Sequence, residues 1–350
     1  MLSLHSLLTD VKTVSASDVH AVVGSPPLVR VHGSLVSLVG YDSITSHEME
    51  SLVDELLDQD ARRVFADTKE WGGAVQLSDG SRFRANLFFE NGNPAFVARL
   101  IASAIPTLSD IGFPESAVNL INADRGLVLV TGQTGSGKST TLAALVEYLN
   151  ATTAKNIVTL EDPIEYVFSS KKSLVKQREV GRDINSFSES LKHIVRHDPD
   201  VIMVGEMRDP ETIKAALTLA ETGHLVLSTL HTSGAGQTVN RIIDSFSAEQ
   251  QNQIRSQLAL SLRGIISQRL VRSLSGGRVA VREILVNTPA IANLIREDKI
   301  EHIESVLQTS ASQGMVTLDA ALSSLYRTNT ISYDVALEHA TDVALIGSRA

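Results

Sequence analysis

The chain has 350 residues, 43% hydrophobic and 20% charged, an ordinary globular composition with length enough for two domains. Its formal net charge of −9 argues against whole-molecule attraction to DNA or an anionic membrane, and a basic pair such as Lys171-Lys172 reads as a solvated turn. The lack of cysteine excludes disulfides and thiolate zinc sites, no apolar run approaches the ~18 residues of a spanning helix, and Met1 to Leu8 is too short and uncharged for a signal peptide.

Residues 15–40 alternate apolar and polar positions, broken by Gly24, Pro26-Pro27 and Gly33, which predicts short strands joined by turns. Ser46 to Phe65 carries Met49, Leu52, Val53, Leu56, Leu57 and Val64 at helical spacing. The stretches "WGGAVQL" and "SRFRANLFFE", joined by Ser78-Asp79-Gly80, predict a hairpin, and 96–103 follows as a strand or short helix. Together these make a small α+β domain over 1–104. The proline- and glycine-broken stretch "IPTLSDIGFPES" predicts an interdomain linker, with its core at 105–114.

From about 115 onward, the uniformly apolar stretches 127–131, 157–160, 201–204 and 225–229 alternate with helical segments, the pattern of a parallel sheet covered by helices. From about Gln250 to the end the pattern is mostly helical, interrupted by a hairpin-like "SLSGGRVAVREIL". No internal repeat or low-complexity tract is evident.

The chemistry concentrates where those strands end. "LVTGQTGSGKST" at 129–140 reads G-x-x-x-x-G-K-[ST] between a strand and a helix, a loop whose backbone amides wrap the phosphates of a nucleotide. Its candidate nucleotide-binding residues are Gly132, Gln133, Thr134, Gly135, Ser136, Gly137, Lys138, Ser139 and Thr140. Lys138 is expected to reach the β- and γ-phosphates and the Ser139 hydroxyl to ligate Mg²⁺, so ATP and Mg²⁺ are the expected cofactors. "NIVTLEDPIEY" ends a buried strand in Glu161, Asp162 and Glu165, one of which would orient a water for in-line attack. "VIMVGEMRD" places Glu206 after a core strand, where a phosphate-loop enzyme holds the metal through its water shell. His224 and His231 bracket a further strand, and either would serve to sense the γ-phosphate. His193 and His197 stand four apart in a helical stretch, a zinc-compatible spacing without an evident third ligand.

These pieces, in this order, resemble the secretion-ATPase superfamily that powers type II secretion and type IV pili. Residues 132–139 look like its Walker A, 159–166 its Asp box, 195–209 its Walker B and 221–232 its His box. The likeness extends to "SDVH…GSPPLVRVHG" and "AIANLIRED" and covers essentially the whole chain. It is strongest to the twitching-motility retraction ATPases of the PilT type, because the chain lacks both the cysteines of a zinc insertion and the length for an additional N-terminal domain. The resemblance implies an α/β fold, a RecA-like P-loop core with a smaller PAS-like α+β N-terminal domain. It also implies a homohexamer at the pilus base, cytoplasmic and held at the inner face of the cytoplasmic membrane only through a platform protein and the pilus machinery. Arg84 and Arg99 fall where family members supply charges to the nucleotide site from the N-terminal domain, with Arg82 a weaker third. "AIANLIRE" departs from the family's A-I-R-N-L-I-R-E at Ala292, in a motif tied to retraction rather than hydrolysis.

The expected function is therefore ATP hydrolysis driving type IV pilus retraction, with Glu161, Glu206, Arg84, Arg99 and His231 as the catalytic set. An accessory retraction ATPase or a related secretion or conjugation ATPase is a neighbouring alternative. A RecA-like nucleic-acid translocase is the alternative from another class, opposed by the acidic charge and the lack of a basic, aromatic-studded strand-binding surface. No nucleic-acid partner is expected. The helix at 287–298 is expected to bury Ile291, Leu294 and Ile295 and to present Asn293, Arg296 and Glu297 as an output face.

Overall fold

Side-chain alternation in the N-terminal third dictates a half-buried antiparallel sheet, and the computed structural model, which describes residues 3–14, 16–31, 34–101 and 104–347, contains one. Gly33 and the last two residues of the 96–103 stretch lie outside the described residues. The chain divides into two units, Met1–Ala104 with Pro163–Val167, and Ile105–Asp162 with Phe168–Ala350.

In the first unit the elements are α1 (Leu4–Thr13), β1 (Asp18–Ala21), β2 (Leu28–Val31), β3 (Ser34–Ser37), α2 (Ser46–Leu56), α3 (Gln59–Thr68), β4 (Glu70–Gln76), β5 (Arg82–Glu90) and β6 (Asn93–Ile101). The strands pair antiparallel in the order β3-β2-β1-β6-β5-β4. On β5, Phe83, Ala85 and Leu87 are buried while Arg84 and Asn86 are exposed, the two-residue period of a strand with one face in the core. The buried set packs with Leu7, Leu8, Met49, Leu52 and Phe65 from the three helices. The helical stretch at 46–65 is two helices, because Asp58 caps a fresh start by accepting from the Ala61 N–H, as Thr45 and Glu48 do reciprocally for α2.

The second unit runs α4 (Glu115–Val118), β7 (Gly126–Thr131), α5 (Lys138–Thr152), β8 (Asn156–Glu161), β9 (Leu174–Glu179), α6 (Phe187–His193), β10 (Val201–Val204), α7 (Pro210–Glu221), β11 (Leu225–Leu230), α8 (Ala235–Asp244), α9 (Ala248–Ser261), β12 (Leu262–Arg272), β13 (Arg278–Val286), α10 (Pro289–Arg296), α11 (Ile303–Thr309), α12 (Leu318–Arg327) and α13 (Tyr333–His339). Its sheet has the order β13-β12-β7-β11-β10-β8-β9, parallel throughout except for the antiparallel β12–β13 pair. Every residue of β7, β10 and β11 is buried, which is why those strands read as largely apolar runs, broken in β11 only by Ser228 and Thr229.

Two strands depart from the expected pattern. The stretch 262–272, expected to be helical, is the long strand β12, which lies between β7 and the edge strand β13. Leu262, Ile265 and Ile266 carry helical spacing, but a strand covered on both faces is apolar without alternation, and spacing does not separate the two. Strand β9 at the far edge, polar at four of its six positions, carries no apolar run to announce it. The expected linker is not an extended tether: Thr107 and Asp110 cap one another's backbone, and the Phe113 N–H donates to the Leu108 carbonyl at 2.8 Å.

Candidate nucleotide site

Four neighbouring parallel strands, β7, β11, β10 and β8, end together. Thr131 is in register with Leu230, Val204 with Ser228, and Val204 with Leu160. The segments that follow them carry the phosphate loop, His231, Glu206 and Glu161, in that order across the edge. At ~4.8 Å per strand the loop and Glu161 are three strands, ~14 Å, apart along the carboxyl edge, where open α/β sheets bind their ligands.

The loop leaves β7 at Thr131 and turns sharply into α5. Gly132 has φ 148°, and a Cβ there would lie 2.3 Å from the Gln268 carbonyl oxygen, so only glycine lets the loop cross β12. Gly137, in the left-handed region at φ 85°, opens α5. The unpaired amides of the first turn and the helix dipole converge there on whatever anion the loop holds. Lys138 is buried beneath the loop, its Nζ donating to the carbonyls of Gly132 at 2.8 Å and Gln133 at 3.0 Å. Gln133, Thr134, Gly135 and Ser139 are exposed, Gly137 and Thr140 half-buried, and Ser136 buried.

Glu161 closes β8, its side chain buried. Its Oε1 accepts from the Thr159 hydroxyl at 2.6 Å and from the Gln177 amide at 3.0 Å. Thr159 precedes Glu161 by two positions and pairs with Gln177 across β8 and β9, so all three side chains share one face. Glu206 follows Gly205, whose carbonyl accepts from the Thr229 hydroxyl at 2.7 Å, while the Met207 N–H donates to the Thr229 carbonyl at 3.1 Å. That pinned turn holds Glu206 between Arg208 Nη2, 2.6 Å from Oε1, and His231 Nε2, 3.3 Å from Oε2. The Ser139 hydroxyl and the Glu206 carboxylate are hard oxygen donors of the kind Mg²⁺ takes beside phosphate and water, so the residues present fit that ion.

In the first unit Arg84 and Arg99 are direct cross-strand partners on β5 and β6. They continue a transverse row, because Asp18 on β1 pairs with Arg99 on one side and Arg30 on the other. Arg99 Nε donates to Asp18 Oδ1 at 2.7 Å, and Arg30 Nε lies 3.9 Å from Oδ2. Burial alone would push the Asp18 carboxyl up; hydrogen bonds from Ser17 and Arg99, with the charges of Arg99 and Arg30, outweigh it and hold the group below the ordinary carboxylate range. Like charges facing each other across a ladder are unfavourable, so the adjacent arginines cost stability that Asp18 partly offsets.

Of the remaining sequence candidates only Asp162 stands at the strand ends, directly after Glu161 on β8. His224 sits at the opposite end of β11 from His231, its Nδ1 3.0 Å from the Leu219 carbonyl. Asp162 is exposed, and Glu165 lies in the 163–167 stretch that groups with the first unit. His193 closes α6 and His197 a following 3₁₀ turn, and no group of three His, Asp or Glu among the described residues is placed to hold a metal. On α10, Thr288 caps the start, Ile291 and Ile295 are buried, Leu294 is half-buried, and Asn293, Arg296 and Glu297 are exposed; Ala292 turns inward, 7% exposed. Sequence reasoning missed Thr159, Gln177, Arg208 and Gln268. Thr159 was legible from its i, i+2 relation to Glu161, and Gln268 from being a lone amide within "IISQRL".

Residues 96–276 match the family described as type II/IV secretion system protein. The chain is 47% identical over 325 residues to the type IV pilus retraction ATPase PilT of Pseudomonas aeruginosa, a match covering 93% of this chain and 94% of that protein. It is 44% identical over 339 residues to a twitching motility protein of Neisseria gonorrhoeae, covering 97% and 90% of the two. Among solved structures, the pilus retraction motor PilT with bound ADP aligns at a TM-score of 0.92 and 40% identity over 98% of each chain.

Proposed function

The chain belongs to the type II/IV secretion system protein family, and we propose that within it the protein is an ATP-hydrolysing motor of type IV pilus retraction and twitching motility. The observation that carries this reading is the convergence of the phosphate loop, His231, Glu206 and Glu161 on one edge of the sheet, in a chain similar over nearly its full length to a retraction ATPase.

In this reading Lys138 and the amides of Gly135 to Thr140 bind the β- and γ-phosphates. Glu161, oriented by Thr159 and Gln177, aligns the attacking water. His231 reads the γ-phosphate and passes its presence to Glu206. Mg²⁺, held by Ser139 and through water by Glu206, would neutralise phosphate charge when bound. Arg84 and Arg99 supply positive charge to a nucleotide site, their own or that of an adjacent subunit in a homohexamer. The ring works on the cytoplasmic side of the inner membrane, gripped by the platform protein of the pilus machinery; among the described residues no helix is long and apolar enough to cross a membrane. A second reading, an accessory retraction motor, rests on Ala292, which stands inward on α10 where the retraction motif carries arginine. Steady-state ATP hydrolysis by the purified chain tests the first reading. Turnover that Lys138→Ala abolishes and DNA or RNA leaves unchanged supports it; turnover that requires nucleic acid overturns it in favour of a translocase.

A further inference from the structure

One buried amide in the second unit touches the phosphate loop from below without belonging to it. Gln268 on β12 is 1% exposed; its Nε2 donates to the Ser136 carbonyl at 2.7 Å, and its Oε1 accepts from the Thr141 hydroxyl on α5 at 2.9 Å. In a trans peptide the carbonyl and the following N–H point in opposite directions. Drawing the Ser136 carbonyl toward β12 therefore turns the Gly137 N–H away from it, to the side on which the loop cradles anions.

Across the β12–β13 ladder, Gln268 is paired in register with Arg282, so the two side chains stand beside each other on one face of the sheet. Arg282 is 4% exposed, and no carboxylate pairs with it among the described residues. Its Nη1 donates instead to the carbonyls of Ile111 at 2.9 Å and Gly112 at 3.0 Å, and its guanidinium lies 5.5 Å from the centre of the Phe113 ring. Burial pulls its pKa down to about 10, so it stays charged at neutral pH. A buried cation without a counter-ion is a poor way to gain stability. Its contacts go to the segment through which the chain passes from the first unit into the second.

We propose that Gln268 is a positioning residue for the phosphate loop, and that the Gln268–Arg282 rung couples occupancy of that loop to the hydrogen-bonded turn at 107–113. The inference rests on the nucleotide-binding reading of the loop and adds to it a route by which a bound phosphate is felt at the turn with which the second unit begins. When the loop closes on phosphate, the Ser136–Gly137 peptide moves with it. Gln268 follows that carbonyl, and the shift passes along the ladder to Arg282 and the carbonyls it holds.

The test uses the full chain with ADP, measuring affinity by fluorescence titration and amide exchange at Ile111, Gly112 and Phe113, whose N–H groups bond to Thr107, Ser109 and Leu108. In the unmodified protein, saturating ADP should change exchange at these amides. Gln268→Met removes two hydrogen bonds to the loop and its helix, and should weaken ADP binding about ten-fold and abolish the exchange response at saturation. Arg282→Met should hold ADP within about two-fold of the unmodified protein yet lose the response, an outcome that a merely structural arginine would not give. Should Gln268→Met not fold, Thr141→Val, which deletes only the donor to Oε1, carries the same expectation at about three-fold. Unchanged ADP affinity in the Gln268 variant, or an exchange response that survives Arg282→Met, overturns the coupling. A complete lack of ADP binding by the unmodified protein would instead sink the nucleotide reading beneath it.

Discussion

His231 Nε2 lies 3.3 Å from Glu206 Oε2, two side chains brought together because β10 and β11 are parallel neighbours that end in step. The pair is half-exposed at the histidine, so it contributes little to folding. In the proposed motor its value is chemical, since it ties the carboxylate to a group at the loop's edge of the sheet. His231→Ala should lower kcat by about 10² while ATP affinity stays within about three-fold and the melting temperature hardly moves. Unaltered kcat would make His231 an ordinary surface residue.

Lys138 and Glu161 should separate binding from chemistry. Lys138→Ala removes the cation beneath the loop and should weaken ATP binding at least about ten-fold. Glu161→Gln keeps the shape of a side chain already held by Thr159 and Gln177, so ATP should still bind while single-turnover hydrolysis falls by about 10² or more. Near-normal hydrolysis by Glu161→Gln moves the water-orienting role to Glu206, Asp162 or Glu165.

Asp18 sets the reach of Arg99. An arginine that stabilises transferring phosphoryl charge is worth ~10³–10⁵ in rate, so Arg99→Ala and Arg84→Ala should each cut kcat steeply if both serve the reaction. Asp18→Asn should produce a smaller loss by freeing Arg99. The same carboxyl predicts a pH signature. Its folded pKa lies below the ordinary value of 3.8, so its contribution is complete above that value and is lost as pH falls through the lower folded one. The melting-temperature gap between the unmodified protein and Asp18→Asn should hold steady from about pH 6 to 8 and close below about pH 4. A gap that widens in acid contradicts the assignment.

How much of this was legible in the sequence depends on the range of the contact. The phosphate loop is local, and its glycines announce a backbone that must bend where a Cβ cannot go. Strands β7, β8, β10 and β11 were legible because a strand buried on both faces carries a run of consecutive apolar residues with no polar alternation. Strand β12 was not, since "LRGIISQRL" satisfies helix and strand alike and its decisive partner, β7, is over 130 residues away in the chain. The supports of Glu161 divide the same way: Thr159 follows from strand period, whereas Gln177 depends on β9 reaching the sheet edge. Arg84 and Arg99 were read from family position alone, and Asp18, the anion that orders Arg99, comes from a strand pairing across 81 residues.

Helix α10 offers a test of output apart from hydrolysis. Arg296 is exposed and makes no hydrogen bond or ion pair among the described residues, while its neighbours Asn293 and Lys299 both bind Glu297. Arg296→Ala should leave ATPase activity within about two-fold, as expected of a surface substitution away from the site, yet impair pilus retraction. Loss of ATPase activity in the purified variant would make the helix structural; intact retraction would make Arg296 a solvated residue without a partner. Ala292→Arg would have to turn a long cation out of a buried position, and should cost about 1–3 kcal/mol of stability in a chemical denaturation series.

The most direct measurement is made on cells: delete the gene, restore it as the unmodified form or as Lys138→Ala, and follow labelled surface pili by live imaging. The account predicts that the deletion and the Lys138→Ala strain keep their pili, in greater number, that these no longer shorten, and that twitching stops, while the unmodified gene restores all three. Cells stripped of pili by the deletion, or pili that shorten at the normal rate without the gene, would contradict it.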